Sequence, residues 1–114
     1  MQLPNLNGVR NALDNLKDVS IVTPLELNER LSNEFNYKVF LKREDVQKVR
    51  SFKIRGAFNK IKSLNLNNTL DKQIICASAG NHAQGFAYSC AKLKIFGTVY
   101  MPEIKPPPPI GIIR

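Results

Sequence analysis

Apolar residues recur at Val9, Ala12, Leu13 and Leu16 with polar residues between them, and this spacing predicts a helix over residues 7–18. Thr23 precedes Pro24, and a residue before proline is driven out of the α region, so residues 19–24 read as a short extended link. Leu27, Leu31 and Phe35 then stand at i, i+4 and i+8, predicting a second helix from residue 25 to about residue 35. Residues 38–42 alternate and predict a strand ended by Glu44-Asp45, with residues 47–50 as the loop beyond it. Ile54, Ala57, Phe58, Ile61 and Leu64 give a third helix an apolar face, with Ser51 as its candidate N-cap and the Asn-rich residues 65–68 as its end.

The nearly unbroken apolar run Ile74-Ile75-Cys76-Ala77 predicts a strand over residues 73–77 that is covered on both faces. A loop over residues 78–81 follows, then a helix with Ala83, Phe86, Ala87, Cys90 and Ala91 on its apolar side, then a strand over residues 96–101. Residues 73–101 have the length of a βαβ crossover, roughly 30 residues, which places two strands in parallel. The fold class expected from this pattern is α/β.

Two places carry candidate chemistry. Lys53 opens the third helix, on the flank of its apolar stripe beside Ala57 and Leu64. The positive end of the helix dipole and the neighbouring Arg50 and Arg55 favour the uncharged, nucleophilic amine. An ordinary solvated lysine is the plain alternative. The second place is Gly80-Asn81-His82-Ala83-Gln84-Gly85, where a parallel strand turns into a helix, the position at which α/β sheets bind ligands and helix N-termini attract anions. Phe86-Ala87 stand where a phosphate loop requires Lys and Ser/Thr, so a nucleotide loop is disfavoured. Asn81 alone is an ordinary cap and His82, the only histidine, an ordinary surface residue. With no second histidine or nearby cysteine, no metal site is expected.

Composition narrows the class. The chain has 114 residues, 43% of them hydrophobic, enough for one small domain and no more. Its net charge is +8, from 17 basic and 9 acidic residues, which favours anionic partners. The basic residues are scattered from Arg10 to Arg114 without an arginine-rich block, so a solvated surface is the reading, with nucleic acid and membrane as partners disfavoured; a non-catalytic basic module that binds nucleic acid or a proline-recognising partner is the less favoured alternative. Cys76 and Cys90 fall within predicted buried elements without CxxC spacing and are expected as reduced core residues. The N-terminus shows no secretory pattern and no apolar stretch is long enough to span a bilayer, so a cytoplasmic location is expected. Pro106 to Pro109 impose polyproline II geometry, and residues 105–114 read as a tail that leaves the fold of residues 1–104.

Ser51-Phe52-Lys53-Ile54-Arg55-Gly56-Ala57, preceded by Lys42-Arg43-Glu44-Asp45, closely resembles the lysine motif of the serine/threonine dehydratase family. These are fold-type-II enzymes that use pyridoxal 5′-phosphate. Ser78-Ala79-Gly80-Asn81-His82-Ala83-Gln84-Gly85 resembles the second signature of that family, and Thr23-Pro24-Leu25 resembles its entry segment. The resemblance covers about residues 9–104 and is closest to the threonine-specific branch that serves isoleucine biosynthesis. It implies that Lys53 holds the cofactor and then acts as the base at the substrate Cα. It further implies that Phe52 lies against the cofactor ring, that Asn81 hydrogen-bonds the cofactor's 3′-oxygen, and that residues Ser78 to His82 hold the substrate carboxylate. The implied reaction is loss of water and ammonia from threonine, with serine elimination or racemisation as the alternative, in an oligomeric enzyme. The sequence departs from the family in several respects: its 6 glycines are dispersed and form no glycine-rich phosphate cradle, the residue expected at the cofactor's ring nitrogen and the later strands do not occur in it, and prolines follow Met101-Pro102 where the family has a further helix. The chain is therefore expected to be an N-terminal part of the catalytic domain, with little activity by itself and a sheet edge open to aggregation.

Overall fold

Asn5 starts the first helix: its side-chain oxygen accepts the Gly8 N–H at 2.8 Å, and α1 runs over Leu6–Asn15. The computed structural model describes residue 3, residues 5–66 and residues 73–103. The helix expected over residues 7–18 thus stops at Asn15 and gives way to turns, Asp18 taking a positive φ of 65° that no helix accommodates. The apolar stripe of α1 is not core, since Leu6, Val9 and Leu13 are all exposed. Only the following turn is buried, through Leu16 and Val19. The helix end is tied to its neighbour by Asn15 Nδ2 donating to Asn59 Oδ1 at 2.9 Å.

The second expected helix is two elements. Leu25–Leu27 is a strand, β1, and α2 begins only at Glu29 and ends at Phe35. Asn28 separates them by capping α2, its Oδ1 accepting the Leu31 N–H at 2.9 Å. β1 pairs antiparallel with β2 (Phe40–Lys42), with Leu25 opposite Lys42 and Leu27 opposite Phe40. The spacing of Leu27, Leu31 and Phe35 hid this pairing, because a three-residue strand leaves too little alternation to outweigh a helical period. β2 is also shorter than the strand read over residues 38–42, and a single 3-10 turn at Glu44–Val46 follows it.

The second half follows its pattern closely. α3 (Lys53–Leu66) buries Ile54, Ala57, Phe58 and Ile61. β3 (Ile74–Ala77), α4 (Asn81–Leu93) and β4 (Gly97–Tyr100) form the expected βαβ unit, with β3 and β4 parallel from Ile74 opposite Gly97 to Ala77 opposite Tyr100. Cys76 and Cys90 are free thiols buried in one cluster with Ile61 and Phe86. A second cluster joins Leu16, Val19 and Val49 to Ile54 and Phe58. β3 is not covered on both faces: Cys76 is buried, but its neighbour Ile75 is 57% exposed. Alternate residues of a strand point to opposite faces, and α3 and α4 cover one of them. Residues 105–114, read as a separate tail, lie outside the described residues.

Candidate functional site

Two polar residues, buried Gln47 and partly buried Glu44, tie down the loop that leads to Lys53. Gln47 is 1% exposed, and its amide spans the backbone of Ile21, accepting the Ile21 N–H at 3.1 Å and donating to the Ile21 carbonyl at 2.9 Å. Glu44 accepts from Arg55 Nε and Arg55 Nη2, both at 2.8 Å, from Thr23 Oγ1 at 2.7 Å and from Gln47 Nε2 at 3.2 Å. The Arg55 guanidinium holds the Glu44 carboxyl far below its ordinary range, at about 2; partial burial opposes this, and Thr23 and Gln47 reinforce it. The bidentate pair joins the 3-10 turn to the first turn of α3, and Thr23 joins both to the entry segment. Lys42 adds a bond from its ammonium to the Thr23 carbonyl.

Lys53 is the first residue of α3 and half-buried. Its Nζ lies 5.0 Å from the centroid of the Phe52 ring, and among the described residues it forms no ion pair. Arg55, expected as a positive neighbour of Lys53, is instead turned to Glu44. Ser51, expected as the N-cap, does not cap the helix: its Oγ is buried and makes no hydrogen bond. Phe52 is 59% exposed and borders an open apolar groove of about 680 Å³ shared with Ile21, Val22, Lys42 and Arg55.

The second constellation is carried to Lys53 by packing at Gly85. A Cβ placed on Gly85 would stand 3.0 Å from the Lys53 carbonyl carbon and 3.2 Å from the Ile54 nitrogen, so α4 lies directly on the first turn of α3. Asn81 is one helical turn before Gly85 on the same face of α4. Ser78 extends the parallel ladder by donating its N–H to Tyr100 at 3.0 Å, and its hydroxyl accepts the Gly80 N–H at 3.2 Å. The first turn of α4 holds no acidic residue, and Asn81 and His82 are exposed, so its N–H groups face solvent with the positive end of the helix behind them. His82 borders a different groove from Phe52, a cleft of about 270 Å³ with Ala57, Lys60 and Phe86. The structure thus brings Lys53 and the start of α4 together and sets His82 towards the middle of α3.

Reading the motifs alone passes over Gln47, whose polarity marks it as loop and whose burial arises from contact with Ile21, 26 residues away. Thr23, Glu44 and Arg55 lie inside the quoted motifs, yet spacing gives no sign that they meet. No group of His, Cys, Asp and Glu able to hold a metal occurs among the described residues, and no helix there is long and apolar enough to cross a membrane.

Lys53 opens one helix, and the first turn of that helix packs against the helix that the second motif opens, in an α/β arrangement. The chain belongs to the pyridoxal-phosphate dependent enzyme family, whose pattern it matches over residues 16–114. It is 51% identical over 104 residues to the L-threonine dehydratase biosynthetic IlvA of Bacillus subtilis, covering 91% of this chain and 24% of that protein. It is 55% identical over 91 residues to the same enzyme of Halalkalibacterium halodurans, covering 80% of this chain and 22% of that one. Among solved structures it is similar to the processed form of threonine deaminase isoform 2 from Solanum lycopersicum, at TM-score 0.71 and 40% identity over 93% of this chain and 30% of that one. It is also similar to maize serine racemase, at TM-score 0.82 and 26% identity over 93% of this chain and 32% of that one. The chain therefore spans about a quarter of the length of these dehydratases.

The residues present fit the reactive end of pyridoxal phosphate. They comprise an amine that forms no ion pair among the described residues and lies beside an aromatic ring, on a helix packed against another whose first turn holds no acid. The phosphate end has no counterpart here, because the glycines of this chain are dispersed.

Proposed function

We propose that this chain is the lysine-bearing part of a pyridoxal-phosphate-dependent dehydratase that converts L-threonine to 2-oxobutanoate and ammonia, the reaction that feeds isoleucine biosynthesis. The reading is carried by the packing of the Lys53 backbone against Gly85, which joins the helix start of the first motif to the helix of the second. It is supported by 51% identity to a biosynthetic threonine dehydratase.

In this reading Lys53 holds the cofactor and moves the proton at the substrate Cα. Pyridoxal phosphate supplies the electron sink that accepts the charge left at that carbon. Phe52 offers its exposed ring as a flat apolar surface. Asn81 offers its side-chain amide as a hydrogen-bond donor, and the N–H groups of residues 78–82 take the substrate carboxylate as an anion at a helix N-terminus. The Glu44–Arg55 pair keeps the Lys53 loop seated and takes no part in the proton transfer. Residues 1–104 are the catalytic-domain part, residues 105–114 stand outside it, and the complete enzyme is a cytoplasmic homo-oligomer. The isolated chain, lacking a phosphate cradle, turns over little or no threonine.

The test is a chimera of residues 1–101 with the remaining three quarters of the Bacillus subtilis relative, assayed for 2-oxobutanoate release from threonine. Release that disappears in Lys53→Ala supports the reading. A folded, cofactor-loaded chimera that leaves threonine untouched ends it. The likeness to serine racemase favours a second reading, elimination or racemisation of serine, which the same assay separates by offering both amino acids.

A further inference from the structure

Ser51 Oγ is the one buried side-chain polar atom without a hydrogen-bond partner among the described residues, and Ser51 is only 7% exposed. An unmet hydroxyl in that setting is unfavourable and uncommon. Three residues on, Ile54 is fully buried, and its N–H finds no acceptor among the described residues. That nitrogen lies under α4, 3.2 Å from where a Cβ on Gly85 would be, so no solvent reaches it. Two unmet groups at i and i+3 stand in the relation of an N-cap hydroxyl to the N–H it accepts.

The cap is open because α3 starts one residue late. With Ser51 as N-cap, Phe52 and Lys53 would be the first two helical residues; here the helix begins at Lys53. Arg50, at φ 58°, sets the chain direction entering this segment, and Phe52 accepts the Arg55 N–H at 3.1 Å in a tight turn. The Lys53 Nζ lies 5.0 Å from the centroid of the Phe52 ring, a cation–π contact with the residue just before the helix.

We infer that Ser51 is a positioning residue for Lys53: when the Lys53 amine is engaged and leaves the Phe52 ring, Ser51 Oγ turns onto the Ile54 N–H and α3 gains a residue at its start. Uptake at Lys53 and closure of the cap then favour one another. This rests on the reading of Lys53 proposed above.

The purified chain tests it with pyridoxal 5′-phosphate as the probe. Three quantities are read in wild type, Ser51→Ala and Ser51→Thr. They are the unfolding temperature without the probe, the half-saturating probe concentration at Lys53 (from borohydride reduction and peptide mass), and amide exchange at Ile54 with and without the probe. Ser51→Ala is expected to unfold at or above the wild-type temperature, because it removes an unmet hydroxyl. It is expected to need about fivefold more probe, the worth of one N-cap. Ser51→Thr, which keeps a capping oxygen, returns loading to the wild-type range. The Ile54 amide slows on loading in wild type and not in Ser51→Ala.

Equal loading of wild type and Ser51→Ala overturns the inference and leaves the Lys53 reading standing. A lower unfolding temperature of Ser51→Ala without the probe also overturns it, since that is the mark of a cap already closed. A wild-type chain that takes up no probe at Lys53 ends the site reading and this inference together.

Discussion

A Cβ on Gly85 would stand 3.0 Å from the carbonyl carbon of Lys53. The obstacle is backbone, which cannot swing aside as the end of a flexible side chain can. Gly85→Ala must therefore lift α4 from the start of α3 and with it move Asn81 away from Lys53. Gly56, on α3 itself, has nothing within 4 Å of its Cβ position. We expect Gly85→Ala to reduce pyridoxal phosphate uptake at Lys53 at least tenfold while lowering stability by about 1–3 kcal/mol. Gly56→Ala should raise stability by about 0.5–1 kcal/mol and leave uptake unchanged. Borohydride-trapped label at Lys53, measured alongside urea unfolding, checks both.

Lys53→Ala should abolish uptake at this position and barely alter the fold. The side chain is half-buried, makes only its ring contact with Phe52 among the described residues, and gives way to a residue that favours helix. The unfolding free energy should change by no more than about 0.5 kcal/mol. Uptake that persists on the peptide spanning residue 53 in the wild type alone, among all the lysines, is the decisive readout.

Glu44→Gln should destabilise the chain by about 2 kcal/mol at neutral pH, because it leaves the Arg55 guanidinium without its charged acceptor. The same carboxylate makes stability depend on pH. Its value of about 2 in the folded chain lies below its ordinary 4.5, so the folded state holds the proton less tightly than the unfolded one. The contribution is fully present above pH 4.5 and is lost as the pH falls from there towards 2. Urea midpoints of wild type and Glu44→Gln should separate at pH 7 and converge near pH 2.

Ile54→Ala should cost about 2–5 kcal/mol, since Ile54 is fully buried between α1's following turn, α3 and α4. Val9→Ser, on the equally apolar but exposed stripe of α1, should change stability by no more than about 0.5 kcal/mol. Similar costs at both positions would mean that α1 is packed in solution.

Much of the site was legible because its parts are local. The lysine motif and the Ser78–Gly85 motif are each contiguous, and each sits at a helix start that the apolar period marks independently. The distant partners of Glu44, Thr23 and Arg55, were not legible. They lie 21 residues before it and 11 after it, and no short-range period encodes such meetings.

The sequence by itself determined α3, α4 and the parallel βαβ unit. Their apolar residues repeat at the period of the element over ten or more positions, and a crossover of that length leaves one chirality and one direction for the second strand. It also singled out Lys53 as the candidate lysine, through the motif around it. Tertiary structure decided the rest. It made Leu25–Leu27 a strand by supplying β2 as a partner, and left the stripe of α1 bare while burying that of α3. It brought Gly85 onto Lys53 and closed Glu44 on Arg55. The physical reason is the same in each case. A periodic pattern states which face of an element is apolar, whereas what that face meets depends on where distant segments come to rest.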